Sequence, residues 1–543
     1  MNRTHFIAIA VLALGLFAGF WIAKDAMAPA VAKRDTPKTQ PTGVIDDSSI
    51  REQNLGKRER HEKRNLLEEL ITINGERLVR FKSEEAYRSA LSRLGDSGAE
   101  LLGRMDRFRA LRLRTTDLDR LRDWLGEDGE DFANYLVSLP LIPDRNAQFG
   151  GGAPFGRTAL EFLGITGDHS SWGEGVKIAI VDTGVQPHIA LNGDHITTIN
   201  LEGVPEVSEV HGHGTAVASI ISGNYDSLTG VAPSAELLSI PVTDELGNSN
   251  SFLLAEGITV AAENGAQVIN VSMGSYGDSI IVQEAVAFAI EQGAIIIASV
   301  GNEGFNQAAF PAGNEGVVSV GTIDATGTHV SFSNTSDTLS ITAPGYEVTA
   351  AWPGDQAIAF SGTSASAPFV SATIAAIISQ SEVPLTGQQA WAIAQDYTNE
   401  AGAPGFDTFY GEGILHTGRI MQRNTPGISD LAVAQPSYDF TQNLLQVTVE
   451  NRGTEVISNS SLAIGADGGN YPFLIPTLQP NERLVFELPV QSPELNNDGL
   501  LHVTSQTVIG GNVTDALPSN NQRTDLISAP SLISAPSATS DGP

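Results

Sequence analysis

No cysteine occurs among the 543 residues, which removes disulfides, thiolate nucleophiles and thiolate-bound zinc together. Basic residues are also missing over a long stretch, since no Lys or Arg stands between Lys177 and Arg419. Of the 31 Lys and Arg and 63 Asp and Glu, residues 1–156 hold 24 and 23, leaving 7 basic and 40 acidic residues for the remainder. So acidic a surface lacks the basic footprint that nucleic acids and anionic lipids require, and its self-repulsion favours solubility. Long apolar runs are scarce as well. Phe6 to Ala23, preceded by Arg3 and followed by Ala26-Met27-Ala28, has the layout of an export signal. It is long for a signal and short for a span, so residues 1–30 are expected to be either a cleaved signal peptide or an uncleaved N-terminal anchor tethering the chain to a membrane. Both place the bulk of the chain outside the cytoplasm, extracellular or periplasmic.

Residues 31–75 are polar and charged and are read as a linker with some helix. From about 76 to 145 the pattern is β-α-β-β-α-β. Leu78–Phe81 is expected as a strand, a helix capped by Ser83 runs to Leu94, strands follow at Glu100–Met105 and Phe108–Arg114, then a helix at Asp117–Leu125 and a strand at Tyr135–Leu139. That order fits a ferredoxin-like α+β unit. A glycine-rich connector, Gly150-Gly151-Gly152, follows.

Between about 155 and 425 strands and helices alternate. Val176–Val181, Leu237–Val242, Val268–Met273, Ala294–Val300 and Val317–Ile323 are β-branched runs suited to a parallel sheet buried on both faces. Thr215–Ser222, Ser251–Glu263, Ile280–Gln292 and Ser364–Ser379 are expected as helices. The fold class is therefore α/β, a doubly wound parallel sheet, whose ligands lie beyond the carboxyl ends of the strands.

Chemistry-bearing residues stand at those ends. Ser364 opens a buried helix within Phe360 to Pro368; the macrodipole and a free N–H favour negative charge there, although an ordinary N-cap explains a lone serine equally well. Asp182 follows the first strand, His213 opens a helix, and Asn302 follows the Ala294–Val300 strand. A turn aspartate, a metal-binding partner of His211 and a turn asparagine are the plain alternatives for the three. Together they supply a carboxylate, an imidazole, an amide donor and a hydroxyl at one sheet edge, which amide hydrolysis by a serine nucleophile requires.

The motifs Val181-Asp182-Thr183-Gly184, His213-Gly214-Thr215-Ala216-Val217-Ala218, Gly301-Asn302-Glu303-Gly304 and Gly362-Thr363-Ser364-Ala365-Ser366-Ala367-Pro368 resemble, in that order, the subtilisin-like serine endopeptidases, or subtilases. The resemblance implies Asp182, His213 and Ser364 as the triad and Asn302 as oxyanion donor. It implies edge segments Gly247-Asn248-Ser249 and Ser272-Met273-Gly274 that pair with substrate, and Ser299-Val300-Gly301 as the wall of the P1 pocket. No charge stands in those segments, so apolar or aromatic P1 residues are expected. It further implies protein or peptide substrates, no cofactor for catalysis, and a 76–145 unit that is an inhibitory propeptide removed between about Leu141 and Pro154. The five arginines from Arg104 to Arg114 are expected to face the acidic peptidase. Two positions depart from the family pattern: Ser219 replaces the usual Gly, and Ala365 the frequent Met, with altered packing as the expected result. A structural calcium finds no evident set of oxygen ligands in Gly223–Thr229, so the metal stays unknown. Residues 428–528, with short strands at Leu431–Ala434, Leu444–Glu450, Leu462–Gly465, Leu484–Val490 and Leu500–Val508, resemble a bacterial adhesion-related Ig-like β-sandwich. Residues 529–543, rich in Ser, Ala and Pro, are expected to be disordered. The rival readings are a binding module carrying a vestigial protease domain and a metal hydrolase built on His211 and His213.

Overall fold

A computed structural model describes residues 32–34, 71–139, 152–204, 211–225, 228–491, 500–511 and 513–528. The export segment, most of the linker and of the connector, and the C-terminal tail lie outside the described residues.

The first unit is an antiparallel sheet of β1 (Thr72–Phe81), β2 (Glu100–Met105), β3 (Ala110–Arg114) and β4 (Gly129–Ser138), in the order β4-β1-β3-β2. Helices α1 (Glu84–Ser92) and α2 (Leu118–Leu125) start where the sequence places them: Ser83 Oγ accepts from Ala86 N–H, and Asp117 Oδ1 from Arg120 N–H. Strands β1 and β4 are longer than their apolar centres. Arg77 bonds Asp131 at 2.6 Å and Arg80 reaches Glu130 at 3.4 Å, so cross-strand ion pairs support the charged ends.

The central sheet is seven-stranded and wholly parallel. Its strands are β5 (Lys177–Asp182), β6 (Ile196–Thr198), β7 (Glu236–Pro241), β9 (Val268–Val271), β10 (Ile295–Ser299), β11 (Val317–Ile323) and β12 (Ile341–Pro344), ordered β12-β11-β10-β9-β5-β7-β6. Strand β8 (Asn248–Asn250) lies outside it. Successive residues face opposite layers: Ile178 and Ile180 join one apolar cluster, Ala179 and Val181 the other. Helices α3 (His213–Ser222) and α6 (Thr363–Ser379) pack in the first cluster, and α4 (Ser251–Glu263) and α5 (Ile280–Glu291) in the second. Because β5 neighbours both β7 and β9, the strand order reverses at β5, and the crevice at such a reversal is where ligands of these sheets bind. The hairpin of β13 (Val348–Trp352) and β14 (Gln356–Phe360) leads into α6.

Pro368 stands within α6 rather than in its opening turn. Having no N–H, it leaves the carbonyl of Ser364 without its helical donor. Ser272 Oγ donates to that carbonyl instead, at 3.2 Å.

The two units are docked. Phe252 of α4 fills the space above Gly103, Arg107 bonds Glu263 at 2.7 Å and lies 4.2 Å over the Phe288 ring, and Arg80 pairs with Glu284. The arginine cluster does not face the peptidase as a block. Arg112 and Arg114 pair with Glu76 and Arg104 with Asp106, all in their own unit, and Arg109 donates to the Phe81 carbonyl. Strand spacing explains it: charges on β3 find cross-strand partners nearer than the neighbouring unit.

The C-terminal region is strand-rich: β15 (Leu431–Val433), β16 (Ser437–Asp439), β17 (Leu444–Asn451), β18 (Ser460–Ala466), β19 (Gly469–Ile475), β20 (Arg483–Pro489), β21 (Leu500–Val508) and β22 (Gln522–Ser528). One antiparallel sheet contains β15, β16, β17 and β20, with Ala32–Arg34 added at β20; the other runs β19-β18-β21-β22. Side chains from both, such as Val447, Phe486, Leu462 and Leu501, share one apolar cluster.

This region meets the peptidase through buried charge. Glu450 binds Arg452 at 2.5 Å, Arg483 at 3.3 Å and Arg419 at 3.8 Å, while Arg483 also holds Glu400 at 3.0 Å. Burial alone would raise the Glu450 pKa, but the three guanidiniums outweigh it and hold the carboxyl at about 2, below its ordinary 4.5. The stabilisation is therefore complete above pH 4.5 and is lost as pH falls toward 2. Glu450→Gln leaves buried arginines unpaired and is expected to lower stability at neutral pH by about 3 kcal/mol. Urea unfolding at pH 7 and along the acid limb checks both the loss and a flatter pH dependence.

Candidate active site

The crevice at the end of β5 gathers polar groups that are almost wholly buried: Asp182 is 0% exposed, Ser364 2%, His213 4% and Asn302 7%. Groups so buried must be partnered, and their partners set the geometry. His213 Nδ1 lies 2.8 Å from Asp182 Oδ1 and 3.0 Å from Oδ2. A proton on Nδ1 directed at the carboxylate leaves Nε2 as the acceptor nitrogen. The carboxylate is fixed by Thr183 N–H at 2.7 Å, and Thr183 Oγ1 accepts the Gly214 N–H at 3.0 Å, tying the start of α3 to the end of β5. Gly214 must be small, since a Cβ there would stand 2.3 Å from the Gly184 carbonyl oxygen. The Phe360 ring meets the imidazole edge-on at 5.2 Å.

Ser364 Oγ donates to the Ser272 carbonyl at 3.0 Å, and no hydrogen bond joins it to His213 among the described residues. Hydroxyl–imidazole contacts in a crevice of this kind commonly tighten only when a ligand is bound. Behind it runs a chain of bonds: Ser371 Oγ donates to Asn270 Oδ1, Asn270 Nδ2 to Ser272 Oγ, and Ser272 Oγ to the Ser364 carbonyl.

Asn302 Oδ1 accepts from both Thr363 N–H and Thr363 Oγ1, each at 2.9 Å, which orients the amide. Its Nδ2 is turned toward Gly362, where a Cβ would come within 2.6 Å. Gly362 has φ +132°, a conformation that L side chains rarely adopt.

The two expected edge segments bracket one chain. Asn248, Ser249 and Asn250 pair antiparallel with Ser138, Val137 and Leu136, while Gly274 and Ser138 exchange both backbone hydrogen bonds at 3.1 Å. Gly247 has φ +79° and lies against Leu139 and His211. Met273 is buried in the apolar cluster beneath. Ser299 and Val300 are buried, and Gly301 ends that segment with φ +112°. One charge escaped the reading of this wall. The Glu303 carboxylate lies beside Gly301, accepting from Asn302 N–H at 2.8 Å, from Tyr276 Oη and from Asn334 Nδ2. It is engaged by donors from three elements.

Thr183, Thr363 and the Asn270–Ser371 pair were also not singled out in the sequence, although both threonines adjoin singled-out residues. Among the described residues no three His, Asp or Glu side chains gather as a metal site. Part of Gly223–Thr229 lies outside the described residues.

A parallel sheet with these groups at its switch point defines a serine peptidase of the subtilisin kind. A model of the Subtilase family matches residues 173–413. Subtilisin Savinase of Lederbergia lenta is 34% identical over 246 residues, 45% of this chain and 90% of that protein. The thermostable alkaline protease of Halalkalibacterium halodurans is 34% identical over 254 residues, 46% of this chain and 69% of that one. Thermitase of Thermoactinomyces vulgaris is 30% identical over 256 residues, covering 46% and 90%. Fervidolysin from Fervidobacterium pennivorans shares the fold at TM-score 0.55 and 19% identity, over 84% of this chain and 76% of that one. The chain belongs to the subtilase family and is a subtilisin-like serine endopeptidase.

Ser219, one of the two expected departures from the family pattern, has a bonding role: its hydroxyl donates to the Ala216 carbonyl at 2.8 Å and accepts the Ala351 N–H at 2.9 Å, joining α3 to β13. Ser219→Ala strands a buried N–H and is expected to cost about 1–2 kcal/mol in urea unfolding.

Proposed function

We propose that this protein is an exported endopeptidase made as an autoprocessed zymogen, with Asp182, His213 and Ser364 as its triad. His213 Nε2 takes the Ser364 proton as Oγ attacks the scissile carbonyl, then returns it to the leaving amine. Asp182 holds the imidazole tautomer and offsets its positive charge. Asn302 Nδ2 and the Ser364 N–H stabilise the oxyanion, the latter at the positive end of α6. Release of Ser364 Oγ from the Ser272 carbonyl would accompany peptide binding, when a substrate N–H competes for that acceptor.

The carrying observation is the clamp on β4. The end of the 72–138 unit lies as an extended strand between Asn248–Asn250 and Gly274, as a peptide product would. Main-chain pairing of this kind gives affinity without sequence choice. The unit thus acts as an inhibitory propeptide of ferredoxin-like type, and the C-terminal strands as an Ig-like spacer or binding sandwich. Most of the expected cleavage interval lies outside the described residues. Near the end of that interval the chain is docked again, with Ala153 N–H donating to Asp324 Oδ2 at 2.9 Å.

The Ser364→Ala precursor is expected to stay at full length after export; normal processing of that variant would assign maturation to another protease. A serine-directed phosphonylating reagent should label Ser364 in the mature enzyme, and Asn302→Ala should lower kcat by about a hundredfold or more with little change in KM.

The buried, uncharged lining at Ser299 and Val300, with Glu303 already engaged, supports apolar or aromatic P1 residues. A panel of chromogenic peptides checks this, and a preference for Lys, Arg or Glu would refute it.

A further inference from the structure

The strand held in the groove alternates its side chains. Val137 is fully buried and Leu139 lies against Gly247, whereas Leu136 is exposed. On the buried face, two residues before Val137, is Tyr135. Its ring lies directly over Gly277: a Cβ built there would stand 2.2 to 2.5 Å from Cγ, Cδ1 and Cδ2 of the tyrosine. Gly277 is not among the glycines with positive φ, so its backbone conformation does not demand glycine. The ring does, because any side chain would occupy its place.

The register makes the contact systematic. Ser138 pairs antiparallel with Gly274, and counting outward from that pair sets Tyr135 opposite Gly277. Gly277 lies in the bend that follows the bridged residue, and an aromatic ring over a bare glycine covers backbone much as it does between strands. The floor is also held in place. Gly277 N–H donates to Ser275 Oγ at 3.2 Å, and Ser275 exchanges backbone bonds with Phe310 at 3.0 and 2.7 Å. One segment therefore reads the main chain of a bound strand at Gly274 and a side chain at Gly277.

We propose that Gly277 is the floor of an extended subsite for an aromatic side chain, three residues before the one that pairs with Gly274. The substrate class is then polypeptides that present Tyr, Phe or Trp at that position of an extended segment, and Tyr135 fills the same subsite in the zymogen. The inference rests on the endopeptidase reading above.

Two measurements test it separately from that reading. In the full chain carrying Ser364→Ala, Tyr135→Ala should raise amide hydrogen exchange about threefold to tenfold in the segments containing 136–139 and 274–279, while Tyr135→Phe should stay near the parent. Gly277→Val should behave as Tyr135→Ala. Unchanged exchange in both Tyr135→Ala and Gly277→Val would overturn the contact. For the processed enzyme, internally quenched peptides differing only in Tyr, Phe or Ala at the position are compared. The two aromatic peptides should exceed the Ala peptide about threefold to tenfold in kcat/KM, and Gly277→Val should abolish the ratio. Equal values for Tyr and Ala, or a ratio that survives in Gly277→Val, would overturn the subsite. Failure to cleave any peptide would sink the endopeptidase reading, with hydrogen exchange still deciding the Tyr135–Gly277 contact.

Discussion

A single missing hydrogen bond organises the centre of this molecule. Pro368 cannot donate to the Ser364 carbonyl, and an unpaired carbonyl at a buried helix start is costly. Ser272, just past β9, supplies the donor and at the same time accepts from Ser364 Oγ with its own carbonyl. The Ser364 helix is thereby fixed to the end of a central strand by two reciprocal bonds, reinforced from behind by Asn270 and Ser371. The Asp182–His213 pair is fixed independently, through Thr183 and Gly214. Two rigid halves, each anchored to its own strand end, face one another across the crevice, and positional accuracy of this kind is what preorganised catalysis depends on.

The N-terminal unit uses the same edges. Strand β4 closes a five-stranded antiparallel sheet whose last member, Asn248–Asn250, belongs to the peptidase, so the contact between the two units is an extension of ordinary sheet pairing. Charge contributes at two places, Arg107 with Glu263 and Arg80 with Glu284, and packing at Phe252 and Phe288 completes the surface. Arg107 pairs with a carboxylate and covers an aromatic ring at once, which an unattached surface ion pair would not do.

The subtilase resemblance and the parallel sheet were legible because β-branched runs and long apolar helices carry strong periodic signals. Val317–Ile323 and Ser251–Glu263 fall at the expected bounds, and the other four expected central strands within a residue or two, while the edge strand Ile341–Pro344 was not expected. Elements that rely on partners were not legible. Ile196–Thr198 is a three-residue edge strand, Gly469–Ile475 contains Pro472 and begins with turn residues, and Gln522–Ser528 carries Arg523 and Asp525 on its less exposed face and Leu526 on its exposed one. The ends of β1 and β4 were missed because their charged residues look like loop until the cross-strand partner is known. At the site, Asp182, His213, Ser364 and Asn302 stood out by motif. Glu303 was hidden in its own motif, and Gly277 has no signature at all, since its importance arises from a ring arriving from another part of the chain.

Arg419 ends a basic-free stretch that begins after Lys177, and it is spent on a junction. With Arg452 and Arg483 it surrounds Glu450, while its own guanidinium reaches Thr398, Asn399 and Asn481. The strand-rich C-terminal region is thus not a bead on a string. Random-coil statistics for a tethered module, in which local concentration falls with linker length, do not describe it. The distance from that region to the crevice is therefore set by the packing of a buried junction and not by the length of a linker.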